Sequence, residues 1–426
     1  MVSPRPASSV PGFFRLPSRS QARTGSTGSR LRKAAFPRII AALVGFFFVA
    51  ASSAEDPATR RARDLGIPFD GTPGEHNAIT DVAGVEVGYA TLIRGHGKLV
   101  VGKGPVRTGV TAIHPRGRHA TAGVFAARFT MNGDGEMTGT HWIDEFGTLY
   151  GPILLTNTVS VGDVHAAAIE WMRRHRPRDM THLPVVGETW DGGFNDLYGR
   201  HVKEKHVFAA LDSASGGAIA EGNVGGGTGM TAHGFKAGTG TSSRRVGPYT
   251  VGVLVQANHG LPWRLTVAGV PVGQVLNPDT TGHFGDPPQA GSSILVIVAT
   301  DAPLLPMQLE RLAKRATIGV GAVGGIAERT SGEISLAFST ANAAPPTRGE
   351  VQTLEALSDD AVYTLDYLYE AVIQATEEAI LNSLIAAETL EGADGVRVEA
   401  IDHDALRRIL RQHGRLVDEV SQVGGG

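Results

Sequence analysis

The 426-residue chain contains no cysteine, which excludes disulfides, thiolate metal sites and thiol nucleophiles. Aromatic residues make up only 6% of it, against 56 glycines. That balance suits tight turns and backbone-lined clefts better than a helical bundle. Charge of either sign is not in surplus: 39 Lys and Arg face 42 Asp and Glu, for a net charge of −3. Beyond the first forty residues the basic side chains are scattered, so no nucleic acid is expected as partner. The fifteen histidines form no H-E-x-x-H or close pair, so no metal is expected. The glycine run Gly222–Gly229 (GNVGGGTG) lacks the lysine of a phosphate-binding loop, so no nucleotide cofactor is expected either. Long hydrophobic runs are missing too. Ile39–Ala51 (IIAALVGFFFVAA) falls short of the roughly 20 residues of a membrane span. It follows an Arg-, Ser- and Pro-rich start and precedes Ser52-Ser53-Ala54. This reads as an export signal cut after Ala54, leaving a periplasmic or secreted protein without a membrane span. The competing reading is a retained N-terminal anchor. The expected organisation is a leader over 1–54 and one catalytic domain over 55–426.

What is present is 42% hydrophobic residues, enough for a sizeable core. Short β-branched runs at Val85–Ala90, Gly109–His114, Ile153–Thr156, Val251–Gln256 and Leu295–Thr300 predict strands. Apolar spacing of three and four predicts helices over Val164–Arg174, Pro306–Ala316 and Asp366–Ala387. A layered α/β or α+β architecture follows. Gly216–Ser243, rich in Gly, Thr and Ser, is expected to form loops or bulged edge strands rather than core. Asn277–Ser292 and Thr340–Glu350 are expected as exposed loops.

At the end of the first of these loops, Ser292 and Ser293 lead into the apolar run Ile294–Ala299. A cut before Ser293 would set a free α-amine, with a pKa of about 7.7–8.0, beside the serine hydroxyl. One residue would then carry nucleophile and general base together. Locally, however, a serine pair before a strand is an ordinary loop end, and Thr330-Ser331-Gly332-Glu333 an ordinary turn.

Seven blocks change that weighting. They are GTPGEHNAITDVAGVEVGYATL (Gly71–Leu92), NGDGEMTGTHWIDEFG (Asn132–Gly147), PILLTNTVSVGD (Pro152–Asp163), GETWDGGFND (Gly187–Asp196), EGNVGGGTGM (Glu221–Met230), QANHG (Gln256–Gly260) and the run Ser293–Gly325 that begins SILVIVATDAP. In this order they resemble the L-aminopeptidase D-amidase/D-esterase and β-peptidyl aminopeptidase family over roughly Arg63 to Ala387. The resemblance implies a precursor that cuts itself into an α chain, 55–292, and a β chain, 293–426, and then acts as an N-terminal serine hydrolase. It implies a four-layer αββα sandwich like that of N-terminal nucleophile hydrolases, but with different connectivity, as in ornithine acetyltransferase. It implies homo-oligomers of αβ units and, as substrate, a small peptide, amide or ester with a free amine.

Residue by residue, the resemblance makes Ser293 the nucleophile, because an apolar Ile294 follows it. The preceding residue, Ser292, departs from the family's Gly or Asn. Ser331 and Glu333 are implied to orient the amine and the nucleophile, Asn258 to form the oxyanion hole, and Glu188 to bind the substrate's amine. Trp190 stands where some members carry a tyrosine. His259, beside Asn258, is not expected to be catalytic. Two other readings are an acetyltransferase of the ornithine acetyltransferase type and a non-catalytic periplasmic binding protein.

Overall fold

The computed structural model describes residues 60–176, 183–277, 292–344 and 353–417. The predicted leader, most of the loop before Ser292 and the end of the loop after Thr340 lie outside them. In chain order the strands and helices are β1 (Glu86–Arg94), β2 (Val106–His114), β3 (Gly123–Gly133), α1 (Thr140–Phe146), β4 (Thr148–Leu149), β5 (Ile153–Asn157), α2 (Val161–His175), β6 (Val185–Thr189) and α3 (Glu204–Asp212). There follow β7 (Thr231–Ala232), β8 (Phe235–Lys236), β9 (Thr239–Val246), β10 (Tyr249–Asn258), α4 (Val272–Leu276), β11 (Ser292–Thr300), α5 (Pro306–Ala322), β12 (Ser331–Ala344), α6 (Val362–Ile385), β13 (Leu390–Glu391), β14 (Arg397–Val398) and α7 (His403–Gln412).

Two sheets carry the structure, one of order β1-β2-β5-β6 and one of order β4-β3-β12-β11-β10-β9. Three apolar layers bind them into an αββα stack. Between the sheets, Val87, Ile113, Ile153, Leu155 and Val185 meet Leu254, Leu295, Ile297, Leu336 and Phe338. Outside the four-stranded sheet, Val110, Ala112, Leu154 and Val186 pack on Val164, Ala168, Trp171, Val207 and Leu211 of α2 and α3. Outside the six-stranded sheet, Val253, Val255, Ile294, Val296 and Val298 pack on α5 and α6. Strand β11 is apolar on both faces because each face meets one of these layers, and alternate side chains serve each.

The two parallel pairs, β5–β6 and β11–β12, are each joined by a crossover helix, α2 and α5, as a parallel connection requires. Helix α5 starts sharply: Pro306 occupies its first turn, and the Gln308 side chain accepts the Leu305 N–H at 2.9 Å, satisfying an otherwise orphaned donor.

The predicted strands and helices are present, most with extended bounds though β1 starts after Val85 and α6 ends before Ala387, and β11 begins at Ser292, so Ser293 lies within the strand rather than ahead of it. Two expectations are corrected. Thr340–Ala344, expected at the start of an exposed loop, continues β12 along β3. Part of the glycine-rich segment is core: Gly225–Gly229 is wholly buried. A Cβ on Gly226 would lie 2.6 Å from the Leu155 carbonyl oxygen, so the absence of side chains is what lets this backbone enter between strands.

Candidate active site

Ser293 is the second residue of β11, a central strand. It pairs with Asn258 on β10 and with Gly332 on β12. The alternation that turns Leu295, Ile297 and Ala299 toward the other sheet extends back to Ser293, whereas Ser292, Ser331 and Glu333 share the opposite face through the register Ser292↔Ser331. Ser293 is buried, 4% exposed. Its Oγ donates to the Ser292 carbonyl oxygen at 2.6 Å and accepts the Gly332 N–H at 3.1 Å. The hydroxyl is therefore held against the carbonyl of the residue before it. No side chain fits at Gly332, where a Cβ would lie 2.6 Å from the Asp134 carbonyl oxygen.

The Ser331 hydroxyl donates to Glu333 Oε1. Both residues are buried, and Glu333 Oε2 has no partner among the described residues. Burial, with repulsion from Glu328 in support, pushes the Glu333 carboxyl up to about 7 against the opposing Ser331 hydrogen bond. Asn258 accepts the Thr231 N–H on Oδ1 and donates from Nδ2 to the Trp190 carbonyl oxygen, both at 2.9 Å. Trp190 thus contributes its backbone to the site, while the residue stays 36% exposed in the cleft wall.

Glu188 comes from the other sheet, at the end of β6. It is 4% exposed, takes the Glu136 N–H at 2.9 Å and receives the Thr158 hydroxyl. Burial, more than the nearby Glu136 and Asp134 charges, raises its pKa. Gly135 lies between it and β12, the strand beside the nucleophile's: a Cβ there would lie 3.3 Å from Glu188 Oε1 and 3.6 Å from Gly332 Cα.

A cleft of about 400 Å³ opens beside these residues, lined by Trp190, Asp191, Asn258, His259, Ser292 and Glu328 among others. Ser293, Ser331, Glu333 and Glu188 lie behind this lining rather than in it. In the continuous chain Ser292 stands at the cleft in front of Ser293. His259 and His233 meet edge to face with ring centroids 5.2 Å apart. Burial holds His259 well below its ordinary pKa and His233 down at about 4, so both imidazoles are neutral at pH 7. Among the described residues no group of three or more His, Cys, Asp or Glu is placed to hold a metal ion. No helix of theirs is long and apolar enough to cross a membrane.

All the residues singled out in the sequence, Ser292, Ser293, Ser331, Glu333, Asn258, Glu188 and Trp190, thus gather at one end of the two sheets. Missed from the sequence were Gly332, whose N–H reaches Ser293, the donors Thr158 and Glu136 on Glu188, and Glu328. Glu328 lies only three residues before Ser331, and its carboxylate type was the available signal.

A serine hydroxyl fixed against its own upstream carbonyl, on a central strand of an αββα stack, defines a serine hydrolase of the N-terminal-nucleophile type. The comparisons with known proteins say which one. Residues 77–398 match peptidase family S58, and the chain belongs to that family. It is 49% identical to beta-peptidyl aminopeptidase BapA of Sphingosinicella xenopeptidilytica over 90% of this chain and 97% of the relative. With the protein of the same name from Sphingosinicella microcystinivorans it shares 51% over 89% and 98%. Among solved structures, the L-aminopeptidase D-Ala-esterase/amidase of Ochrobactrum anthropi superposes with a TM-score of 0.77 at 45% identity, covering 84% of this chain and 99% of that one. That structure is described as a new variant among the Ntn hydrolase fold. The chain is accordingly a serine aminopeptidase. Neither an acetyltransferase nor a non-catalytic binding protein is favoured by these likenesses.

Proposed function

We propose that the chain cuts itself between Ser292 and Ser293 and then releases N-terminal residues, β-amino acids foremost, from small peptides and amides. The observation that carries the cut is the Ser293 hydroxyl, 2.6 Å from the Ser292 carbonyl oxygen and fixed by the Gly332 N–H. Attack of Oγ on the Ser292 carbonyl carbon breaks the C–N bond, and the nitrogen leaves with the hydroxyl proton as an α-amine. Water then hydrolyses the ester, freeing the Ser292 carboxylate and restoring the hydroxyl. The fixed Ser293 contacts also support cleavage there rather than before Ser292, whose Oγ has no partner among the described residues.

In turnover the Ser293 amine takes the hydroxyl proton as Oγ attacks the substrate carbonyl, and returns it to the leaving amine. Ser331 and Glu333 orient that amine, Asn258 stabilises the oxyanion and Glu188 holds the substrate's ammonium. The β-amino preference rests on the two beta-peptidyl aminopeptidases at 49% and 51% identity. Removal of the 1–54 leader on export, and assembly as homo-oligomers of αβ units, complete the reading. Denaturing electrophoresis and mass spectrometry of the expressed protein test it. Two chains are expected, the second starting at Ser293, with hydrolysis of β-alanyl p-nitroanilide. Ser293→Ala is expected to stay one chain and inactive, and an active single-chain variant overturns the reading.

A further inference from the structure

Five buried oxygens at the starts of β11 and β12 have no hydrogen-bond partner among the described residues: Ser292 Oγ, Thr330 Oγ1, Glu333 Oε2 and both carboxylate oxygens of Glu328. They are held together by the turn that opens β12, where the Ser331 N–H donates to the Glu328 carbonyl at 2.7 Å, and by the register Ser292↔Ser331. Asn132 Nδ2 pins the same turn through the Glu328 carbonyl at 2.8 Å. Glu328 also lies close enough to Glu333 for its charge to act there. The hydroxyls can turn to donate, but a carboxylate can only accept. Buried and unmatched, these acceptors weigh against the uncleaved chain, each lacking the donor that would offset its desolvation.

An ammonium group carries three donors where a peptide nitrogen carries one. We propose that Glu328 is a positioning residue for the α-amine that self-cleavage frees on Ser293, and that its unpaired carboxylate makes the uncleaved chain the less stable form. The proposal rests on the reading that the cut falls before Ser293. Cleavage supplies the missing donors at the place where the acceptors wait. In the mature enzyme, N–H bonds to Glu328 and Glu333 leave the amine's lone pair free for its own hydroxyl. The other titratable groups around this end of the sheets are Glu188 on β6, Asp134 and Glu136 in the loop after β3, Arg329 in the turn, Asp191 across the cleft, raised by burial to about 7, and the neutral His233 and His259. None of them belongs to the acceptor cluster.

Glu328→Gln, which keeps the shape and brings its own donor, separates the possibilities. Self-processing, followed by gel and mass spectrometry, is expected to slow about tenfold or more, the size of a lost charged hydrogen bond. In the uncleavable Ser293→Ala background the same change is expected to raise the melting temperature by about 2–4 °C, as relief of an unmatched buried acceptor does. In the mature enzyme the acid limb of kcat/KM is expected to move to lower pH, because one negative charge near the amine is gone. Glu328→Asp, which keeps the charge, is expected to process within about threefold of wild type. Unchanged processing, an unmoved acid limb, or a lower melting temperature in the Ser293→Ala background overturns the proposal, the last by marking Glu328 as merely structural. A wild-type β chain that starts anywhere other than Ser293 removes the parent reading instead.

Discussion

Glu188→Gln isolates the charge that the candidate site presents to a substrate amine. The amide can keep both existing contacts, its oxygen accepting the Glu136 N–H and its nitrogen donating to the Thr158 hydroxyl, which turns from donor to acceptor. Loss of activity therefore reports charge rather than collapse. Removing one partner of a buried ion pair costs about 3–5 kcal/mol. The Glu136 N–H and the Thr158 hydroxyl stay with the side chain and offset part of that cost, so the lower figure applies here. About 3 kcal/mol corresponds to roughly a 150-fold fall in kcat/KM at 1.4 kcal/mol per tenfold. The ammonium is held alike in ground and transition states, so the loss is expected in KM with kcat nearly kept. The assay is steady-state hydrolysis of β-alanyl p-nitroanilide by the processed enzyme, with its N-acetyl derivative as control. Because burial raises the Glu188 pKa, substrate binding should begin to weaken, as pH falls, above the ordinary carboxylate range. A loss under about tenfold in Glu188→Gln would refute the assignment, as would wild-type hydrolysis of the N-acetyl substrate at a comparable rate.

Gly332→Ala places a Cβ 2.6 Å from the Asp134 carbonyl oxygen and 3.2 Å from Gly135 Cα, so β12 must shift and its N–H must leave Ser293 Oγ. Processing followed by mass spectrometry is expected to slow by about a hundredfold, and a normal rate would show that this N–H does not hold the nucleophile. His259 and His233 have folded-state pKa values depressed below the ordinary histidine value. Their burial therefore favours the fold above about pH 6.5, and that contribution is lost as pH falls toward about 4. His259→Phe, of similar shape and without ring nitrogens left unmatched, is expected to melt higher than wild type at pH 4.5 and close to it at pH 7.5. Parallel melting curves with the same gap at both values would rule out His259 as a source of acid sensitivity.

The legible elements were those with a single kind of neighbour. Strand β11 announces itself as Ile294–Ala299 because both of its faces are apolar layers. Strand β9, TGTSSRRV, is as buried over Thr239–Arg244, yet its sequence reads as a loop or an edge strand, and only the edge position was legible. Each polar side chain there is satisfied at a distance: Thr241 by the Val253 carbonyl at 2.7 Å, Ser242 by the Ala375 carbonyl at 2.6 Å, and Arg244 by Glu378 at 2.7 Å. Burial of that kind leaves no local pattern, because the partner that makes it tolerable lies elsewhere in the chain. The glycines at Gly225–Gly229 hide core in the same way.

The site follows the same division. Ser293 and Ser331-Gly332-Glu333 stand about forty residues apart in the chain because β11, the crossover helix α5 and the return to β12 lie between them. The parallel register of the two strands then sets Gly332 directly beside Ser293. That spacing acquired meaning only through the family resemblance, since any βαβ unit has a similar length. Glu188 reaches the site from the second sheet, a relation that no spacing in the sequence encodes. The Gly332 N–H was invisible for a different reason: a backbone donor has no residue type of its own, and only the lack of room for a side chain marks the position. Glu328 was readable as a carboxylate but not as an unpaired one, because the want of a partner is a property of the folded surroundings. On the proposed reading, the chemistry of the cut depends as much on what the fold withholds from Glu328 and Glu333 as on what it supplies to Ser293.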